Sequence, residues 1–226
     1  MILDEITWIL ASTPFIARGG FHPEDGDGVL GVVDGGEVAT VIMIGNAGGA
    51  LWEAFAAAVP EPAGRDPLDD WTKTVLAPVA ARFGAHPVYP SDGPPYMPFQ
   101  RWAMRAEPVS PSPLGVLIHS EYGLWHAYRA AFLFPEKLAL RPLAAAASPC
   151  ESCTARPCLS TCPVGAFSEA GYEVPACAAH VHAPEGQRCR DSGCLARAAC
   201  PVGPDWRYPA ATGAFHLAAF ARNHVG

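Results

Sequence analysis

No cysteine occurs in the first 149 residues of this 226-residue chain, and all eight fall between positions 150 and 200. Residues 150–163 read CESCTARPCLSTCP, which places Cys150, Cys153, Cys158 and Cys162 ahead of Pro163. Cys177, Cys189, Cys194 and Cys200 follow, the last ahead of Pro201. Both runs close on the same four residues, Cys162-Pro163-Val164-Gly165 and Cys200-Pro201-Val202-Gly203. A secreted disulfide scaffold would be smaller and would spread its bridges along the chain. In a reducing compartment, thiols clustered at short fixed spacing bind metal.

Soft thiolates match an iron–sulfur core, and a 4Fe-4S cube takes four of them. Three come from one tight loop and the fourth from elsewhere. In two-cluster ferredoxins the cysteine before proline ligates the other cube, and the proline turns the chain away. Crossed in this way, one cube takes Cys150, Cys153, Cys158 and Cys200, and the second takes Cys162, Cys177, Cys189 and Cys194. Four residues separate Cys153 from Cys158, where two are usual, and the second run is looser still. Zinc sites, or one cluster with spare thiols, are the alternatives. Zinc ribbons use paired knuckles and do not repeat Cys-Pro at the end of each group.

The remaining composition restricts the partners. Net charge is −7 and only Lys73 and Lys137 are lysines, so a nucleic-acid backbone partner is not expected. A local patch stays open because 13 of the 15 basic residues are arginine. No window reaches the eighteen apolar residues of a membrane span, and MILDEITWIL carries acids where a leader would carry Lys or Arg. The expectation is a soluble, cytoplasmic protein. Pro 24 and Gly 22 predict long ordered loops.

Before residue 145, strand and helix signals alternate. EVATVIMIG (37–45) reads as a buried strand that turns through GNAGG into the helix ALWEAFAAAV. Residues 66–84 read as a helix with Asp66 at the N-cap, Pro67 in the first turn and Gly84 at the close. HPVYPSDGPPYMP (86–98) reads as an ordered loop and FQRWAMRA (99–106) as a short helix. GVLIH (115–119) and YRAAFLF (128–134) read as strands joined by SEYGLWHA. RPLAAAASP (141–149) reads as a linker, and 209–224 as a terminal amphipathic helix.

Two stretches carry a family resemblance. Cys162-Pro, Cys177, Gly193-Cys194 and Cys200-Pro, in that order, resemble the ferredoxin-like part of epoxyqueuosine reductase, a cobalamin- and iron–sulfur-dependent tRNA-modifying enzyme. GVLIHSEYGLWHAYRAAFLFP (115–135) resembles the central segment of the CblC cobalamin-processing proteins, with His119 and Gly123 in the places of that family's histidine and glycine, then Trp125 and Arg129. VIMIGNAGGALWEAF (41–55) is similar more loosely. The resemblance implies an α+β fold: a nitroreductase-like, CblC-type cofactor domain over 1–145, a two-cluster ferredoxin-like domain over 146–206, and a helical tail over 207–226. It covers about two-thirds of the chain. The chain departs from the reductase in lacking its helical repeats, and in reading Asp92-Gly-Pro-Pro95 and then Gln100-Arg101 where that family has D-x-x-P before an E-R pair. CblC proteins lack the cysteine block.

The resemblance implies electron delivery from two 4Fe-4S clusters to a cofactor, cobalamin with flavin as the alternative. The partners would be a corrinoid and an electron donor. His119, Gly123, Trp125 and Arg129 are the candidate cofactor contacts, Trp125 and Tyr128 a bed for a flat macrocycle, and Asp92 the candidate acid. An Asx-turn explains Asp92 as simply, a histidine bonded to backbone explains His119, and core packing explains Trp102, Trp125 and Tyr128. GNAGG is a candidate phosphate loop. Arg101 and Arg105 are candidates for binding phosphate or tRNA, a solvated helix face being the commoner reading, and His180, His182 and His216 read as neighbours of the thiols. Three rival functions stand beside the first: an epoxyqueuosine-reductase-like enzyme acting on a modified nucleoside, a cobalamin trafficking or decyanating protein, and a plain ferredoxin-type carrier.

Overall fold

The computed structural model describes residues 2–29 and 36–224. In chain order it has helix α1 (Ile2–Leu10), strands β1 (Ile16–Phe21) and β2 (Thr40–Ala47), helices α2 (Ala50–Ala58) and α3 (Pro67–Arg82) and strand β3 (His86–Val88). Helix α4 (Phe99–Ala106) and strands β4 (Val109–Pro111), β5 (Leu117–His119) and β6 (His126–Phe134) follow. The cysteine-bearing third is made of short pieces: α5 (Pro149–Ser152), α6 (Pro157–Ser160), β7 (Phe167–Ser168), β8 (Gly171–Tyr172), α7 (Val174–His182), α8 (Gln187–Ser192) and α9 (Leu195–Ala198). The longer α10 (Ala210–Asn223) comes last. The chain folds as two units, Met1–Pro108 with His126–Ala146, and Val109–Trp125 with Ala147–Gly226.

The first unit is built on an antiparallel sheet in the order β1-β2-β6-β3. Strand β2 lies inside it and all of its residues but Ala47 are buried. A strand covered on both faces needs apolar residues at every position rather than alternate ones, which is why EVATVIMIG is a continuous run. Val41 and Met43 face Phe99, Trp102 and Ala106 of α4, with Leu133 and Ala131 beside them in register. Ile42 and Ile44 point to the opposite face and are just as buried. On the helices, Trp71 of α3 meets Phe15 and Phe55, with ring centroids 5.9 and 5.8 Å apart.

In the second unit β4 and β5 form a hairpin, and β7 and β8 a two-residue ladder. Its core gathers Leu114, Ile118, Leu124, Phe167 and Ala196 around Cys200, with Cys150, Cys158, Leu159, Cys162, Cys194 and Val202 packed against it. No described helix is long and apolar enough to cross a membrane.

One local expectation changes. Residues 86–98 are not loop throughout, because His86–Val88 pair with Leu133–Ala131 of β6. Three residues are too few to show a period, and Pro87 is tolerated because β3 is an edge strand. GVLIH and YRAAFLF both contribute strands, as expected: β5 pairs with β4 in the second unit, and β6 lies inside the first unit's sheet.

Candidate functional site

The eight thiols belong to the second unit, and backbone turns set their positions. Ser148 caps α5, its Oγ accepting from the Cys150 amide at 3.3 Å, and Pro149 opens the helix. The long Cys153–Cys158 spacing is taken up by a turn in which Arg156 is left-handed, φ 38°, before Pro157 starts α6. That region is strained for a residue other than glycine, and the exposed Arg156 side chain pairs with Glu169 at 2.8 Å. Gly165 and Gly203, which end the two repeated tetrapeptides, are both left-handed, at φ 59° and 64°.

The thiols influence one another in two sets. Cys150 is pushed up by burial first and then by Cys200, with smaller contributions from Cys158 and Cys153, while a hydrogen bond with Ser148 opposes. Cys158 rises by burial, then Cys200, then Cys153. Cys177 rises by burial and Cys162, a hydrogen bond from Tyr172 opposing. Cys189 and Cys194 rise by burial first and also through Cys177 and Cys162, with the Leu195 amide opposing at Cys189 and the Arg197 and Ala196 amides at Cys194. So Cys200 sits with the thiols of the first run, and Cys162 with those of the second. Among the described residues no three Cys, His, Asp or Glu side chains gather as they would around a single ion.

The donor set fits two iron–sulfur cubes. It offers two fours of soft ligands, each with amide or hydroxyl donors to its sulfurs, among them the Ala166 N–H to Cys162 Sγ at 3.3 Å. Neither histidines nor carboxylates enter either set. His182 is near the His224 carbonyl at 3.2 Å, and His216 lies by Tyr208, ring centroids 6.3 Å apart. A cavity of about 280 Å³ opens beside Cys177 and Cys194, walled by Trp125, Phe167, Tyr172, Tyr208 and Phe220.

His119 and Gly123 close a turn, exchanging both backbone hydrogen bonds at 2.9 and 3.0 Å. His119 Nδ1 accepts from the amides of Glu121 and Tyr122 at 3.1 and 3.2 Å, and its ring stacks on Tyr122 at 4.4 Å. Gly123 is left-handed, φ 57°, and a Cβ there would lie 2.0 Å from the Val202 carbonyl oxygen. Gly203 is equally hemmed in, its Cβ position 2.5 Å from the Tyr122 carbonyl carbon. The turn therefore interlocks with the second Cys-Pro-Val-Gly. Trp125 is 6% exposed, and the Arg197 guanidinium lies over both its ring and that of Tyr208, at 5.0 and 4.7 Å. Arg197 Nε donates to the Leu124 carbonyl at 3.1 Å.

The first unit holds a buried charged network that sequence reasoning missed. The Arg18 guanidinium grips Glu107 with two contacts, 3.0 Å from Nε to Oε2 and 2.6 Å from Nη2 to Oε1. The Tyr128 hydroxyl donates to the same carboxylate, and His126 Nδ1 is 3.3 Å from Arg18 Nη2. Burial pushes the Tyr128 phenol far up, Glu107 adding to the shift and Arg18 opposing it. Beside Tyr128 lies a polar cavity of about 180 Å³ lined by Asp69, Tyr89, Ser91 and Arg129. Burial raises the Asp69 carboxyl and Arg129 opposes. Arg129 Nε donates to Asn46 Oδ1 at 3.2 Å, so the asparagine of GNAGG is engaged with a side chain. Asp92 accepts from Lys73 Nζ at 2.8 Å and, through its other oxygen, from the Tyr89 amide at 2.9 Å. Arg105 binds Glu24 and Asp27, and the buried Trp102 donates to the Asp27 carbonyl at 2.8 Å. Arg101 Nη1 reaches the Gly26 carbonyl at 3.4 Å.

Trp125 is packed in the second unit, Tyr128 is bonded to Glu107 in the first, and His119 is committed to its own turn.

No family model matches the chain, and no curated protein is significantly similar to it in sequence. Its fold is that of epoxyqueuosine reductase. The structure of that enzyme from Streptococcus thermophilus superposes with a TM-score of 0.55 at 13% identity, over 92% of this chain and 68% of the other. A crystal structure of epoxyqueuosine reductase with a tRNA-Tyr epoxyqueuosine-modified stem loop gives 0.54 at 13%, over 92% and 67%. The second neighbour corrects the expectation against nucleic acid. That expectation rested on net charge, which says nothing about where arginines are placed, and a protein of this fold has been solved with an RNA stem loop.

Proposed function

We propose that this chain is an iron–sulfur reductase that acts on a modified nucleoside, in the manner of epoxyqueuosine reductase. The observation that carries the reading is the sorting of eight thiols into two fours, on a fold shared with that enzyme over 92% of the chain. Cys150, Cys153, Cys158 and Cys200 would hold one cube and Cys162, Cys177, Cys189 and Cys194 the other. When bound, the cubes supply electrons one at a time. The first unit is the nitroreductase-like partner and the second the ferredoxin-like one.

Reducing an epoxide to an alkene takes two electrons and two protons and releases water. Two one-electron clusters meet the electron demand. The protein residue we assign to proton delivery is Asp92, which Lys73 holds in place at 2.8 Å. The pair is half-exposed, and the Tyr89 amide fixes the second carboxylate oxygen. The two protons come from solvent, which reaches the half-exposed carboxylate. No step is routed through a corrinoid.

The test is anaerobic reconstitution, metal and sulfide analysis, and reaction of the reduced protein with a tRNA stem loop carrying epoxyqueuosine. About eight irons and eight sulfides per chain are expected, with loss of one oxygen from the nucleoside. Asp92→Asn should lower turnover while leaving iron unchanged. Zinc with negligible iron and sulfide after reconstitution overturns the reading. So does a fully loaded protein that leaves the nucleoside intact.

A further inference from the structure

The polar cavity of the first unit, about 180 Å³, is walled by Asp69 and Thr72 of α3, Tyr89 and Ser91 after β3, and Tyr128 and Arg129 of β6. Tyr89 is 7% exposed, and its buried hydroxyl has no hydrogen-bond partner among the described residues. A buried hydroxyl left unpaired is costly and calls for a partner. Asp69 and Arg129 meet loosely, Nη1 to Oδ1 at 3.8 Å, which is beyond hydrogen-bond distance. The Thr72 hydroxyl gives its proton to the Leu68 carbonyl at 2.7 Å, and the Tyr128 hydroxyl gives its own to Glu107. Both oxygens are left as acceptors. The charges cancel: Arg129 is matched by Asp69, and Lys73, 5.2 Å from the centre of the Tyr89 ring, by Asp92. Such a site does not select an anion. It suits a neutral ligand that both gives and takes hydrogen bonds. A vicinal diol does so, and a carboxylate takes its protons as the acidic residue of a dinucleotide site takes that of a ribose hydroxyl. Pro90 and Ser91 are exposed, which gives the cavity a mouth.

We propose that this cavity binds the vicinal diol of a modified nucleoside, Asp69 accepting from its two hydroxyls while Tyr89 and Arg129 donate to their oxygens. The inference rests on the proposed nucleoside reduction and names where that substrate is held. In an RNA chain the 3′ oxygen of an internal ribose is bound in the phosphodiester. A vicinal diol at an internal nucleoside therefore belongs to a ring added to the base, and epoxyqueuosine carries hydroxyls and epoxide together on such a ring. A volume of about 180 Å³ holds a five-membered ring and its hydroxyls, and falls short of the roughly 300 Å³ at which pockets for whole ligands begin. The loop that brings Tyr89 and Ser91 to the cavity also carries Asp92. The Tyr89 amide donates to the Asp92 carboxylate at 2.9 Å, and the Asp92 amide donates to the Tyr89 carbonyl at 3.0 Å. Holding the diol thus presents the epoxide of the same ring to the loop of the residue assigned to proton delivery. Binding itself makes and breaks no covalent bond.

The experiment uses the anaerobically reconstituted full chain and three tRNA stem loops that differ at one nucleoside: epoxyqueuosine, its alkene product with the same diol, and the unmodified nucleoside. Fluorescence anisotropy reads affinity, and loss of the epoxide oxygen reads turnover. Wild-type protein should bind both diol-bearing loops more tightly than the unmodified one. Tyr89→Phe keeps the ring and removes only the hydroxyl. It should weaken both diol-bearing loops about three- to tenfold, and Asp69→Asn should weaken them about tenfold or more. Neither variant should alter binding of the unmodified loop. Saturating turnover should survive Tyr89→Phe, since the lost contact holds substrate and transition state alike. Its Tm should not fall, because the hydroxyl has no partner in the free protein among the described residues. Wild-type protein that does not distinguish the loops overturns the inference, as do variants that bind the diol-bearing loops as tightly as wild type. A loss shared equally by all three loops, with a lowered Tm, assigns the residues to packing and also overturns it. Loaded wild-type protein that leaves epoxyqueuosine intact overturns instead the reading beneath it.

Discussion

Replacing Gly123 by alanine tests how the second cysteine run is held in place. The Cβ of the alanine would sit 2.0 Å from the Val202 carbonyl oxygen and 2.7 Å from its carbon, whereas real Cβ contacts stay beyond 3.0 Å. About 1 Å of backbone must give way. The left-handed φ of 57° costs an L-residue about 1–2 kcal/mol. Overpacking a close contact adds about 1–3 kcal/mol. The sum, about 2–5 kcal/mol, is a drop of roughly 4–20 °C in Tm for a chain of this size. Val202 is two residues from Cys200, so the displacement should also strip the cube built on Cys150, Cys153, Cys158 and Cys200. Gly165→Ala is the control. It occupies the same place in the first tetrapeptide, φ 59°, yet nothing lies within 4 Å of its Cβ position. It should cost only the backbone share of about 1–2 kcal/mol and keep all iron. Thermal unfolding and iron per chain read both variants. Equal falls in Tm, or full iron in Gly123→Ala, would refute the interlock.

Two further outcomes follow from the thiol sets and from the first unit. Cys200→Ala should damage the cube of Cys150, Cys153 and Cys158, and Cys162→Ala the cube of Cys177, Cys189 and Cys194. Spectra showing each variant losing the cube nearer in sequence contradict the crossed arrangement. The Tyr89 phenol is pushed from 10 up to about 12, by burial first and then by Asp92. Folding therefore retains a proton that the unfolded chain has lost, its stabilisation is complete below pH 10, and it disappears as pH rises from about 10 to about 12. Denaturant unfolding across that window should show the loss, and Tyr89→Phe should flatten it. An unchanged slope in the variant assigns the effect to another group.

How far the sequence was readable depended on how local each signal is. The β2 run, the Pro67 start of α3 and all of α4 were legible, because each is decided by its own residues. Helix α1 and strand β1 were not read. ILDEITWIL was considered only for what a leader would carry, and IARGGF has too many glycines to look like a strand. Strand β4 reads VSP and is visible only through its partner LIH. The Arg18–Glu107 pair joins positions 89 apart, and no spacing rule reaches that far. The two cysteine runs stood out in the sequence because each closes on the same Cys-Pro-Val-Gly.

The segment 115–135 shows how one recognisable stretch can contain two separate devices. From His126 onward it is an inner strand, its residues in register with Thr40–Ala47. Up to Trp125 it braces the second cysteine run. His119 ties the turn through Nδ1, Gly123 fits beneath the Val202 carbonyl, and Arg197 of α9 fastens Leu124 while lying between Trp125 and Tyr208. A histidine, three residues and a glycine ahead of an aromatic is thus the pattern this packing requires, before any cofactor is considered. Only glycine accepts both the left-handed backbone and the close carbonyl. The histidine supplies an acceptor for two amides that the turn leaves unpaired. The two Cys-Pro-Val-Gly copies, alike in sequence, differ for the same reason: Gly165 ends in open space, and Gly203 ends against Glu121 and Tyr122. Such bracing fixes the backbone two residues beyond Cys200, a thiol some forty to fifty residues from Cys150, Cys153 and Cys158.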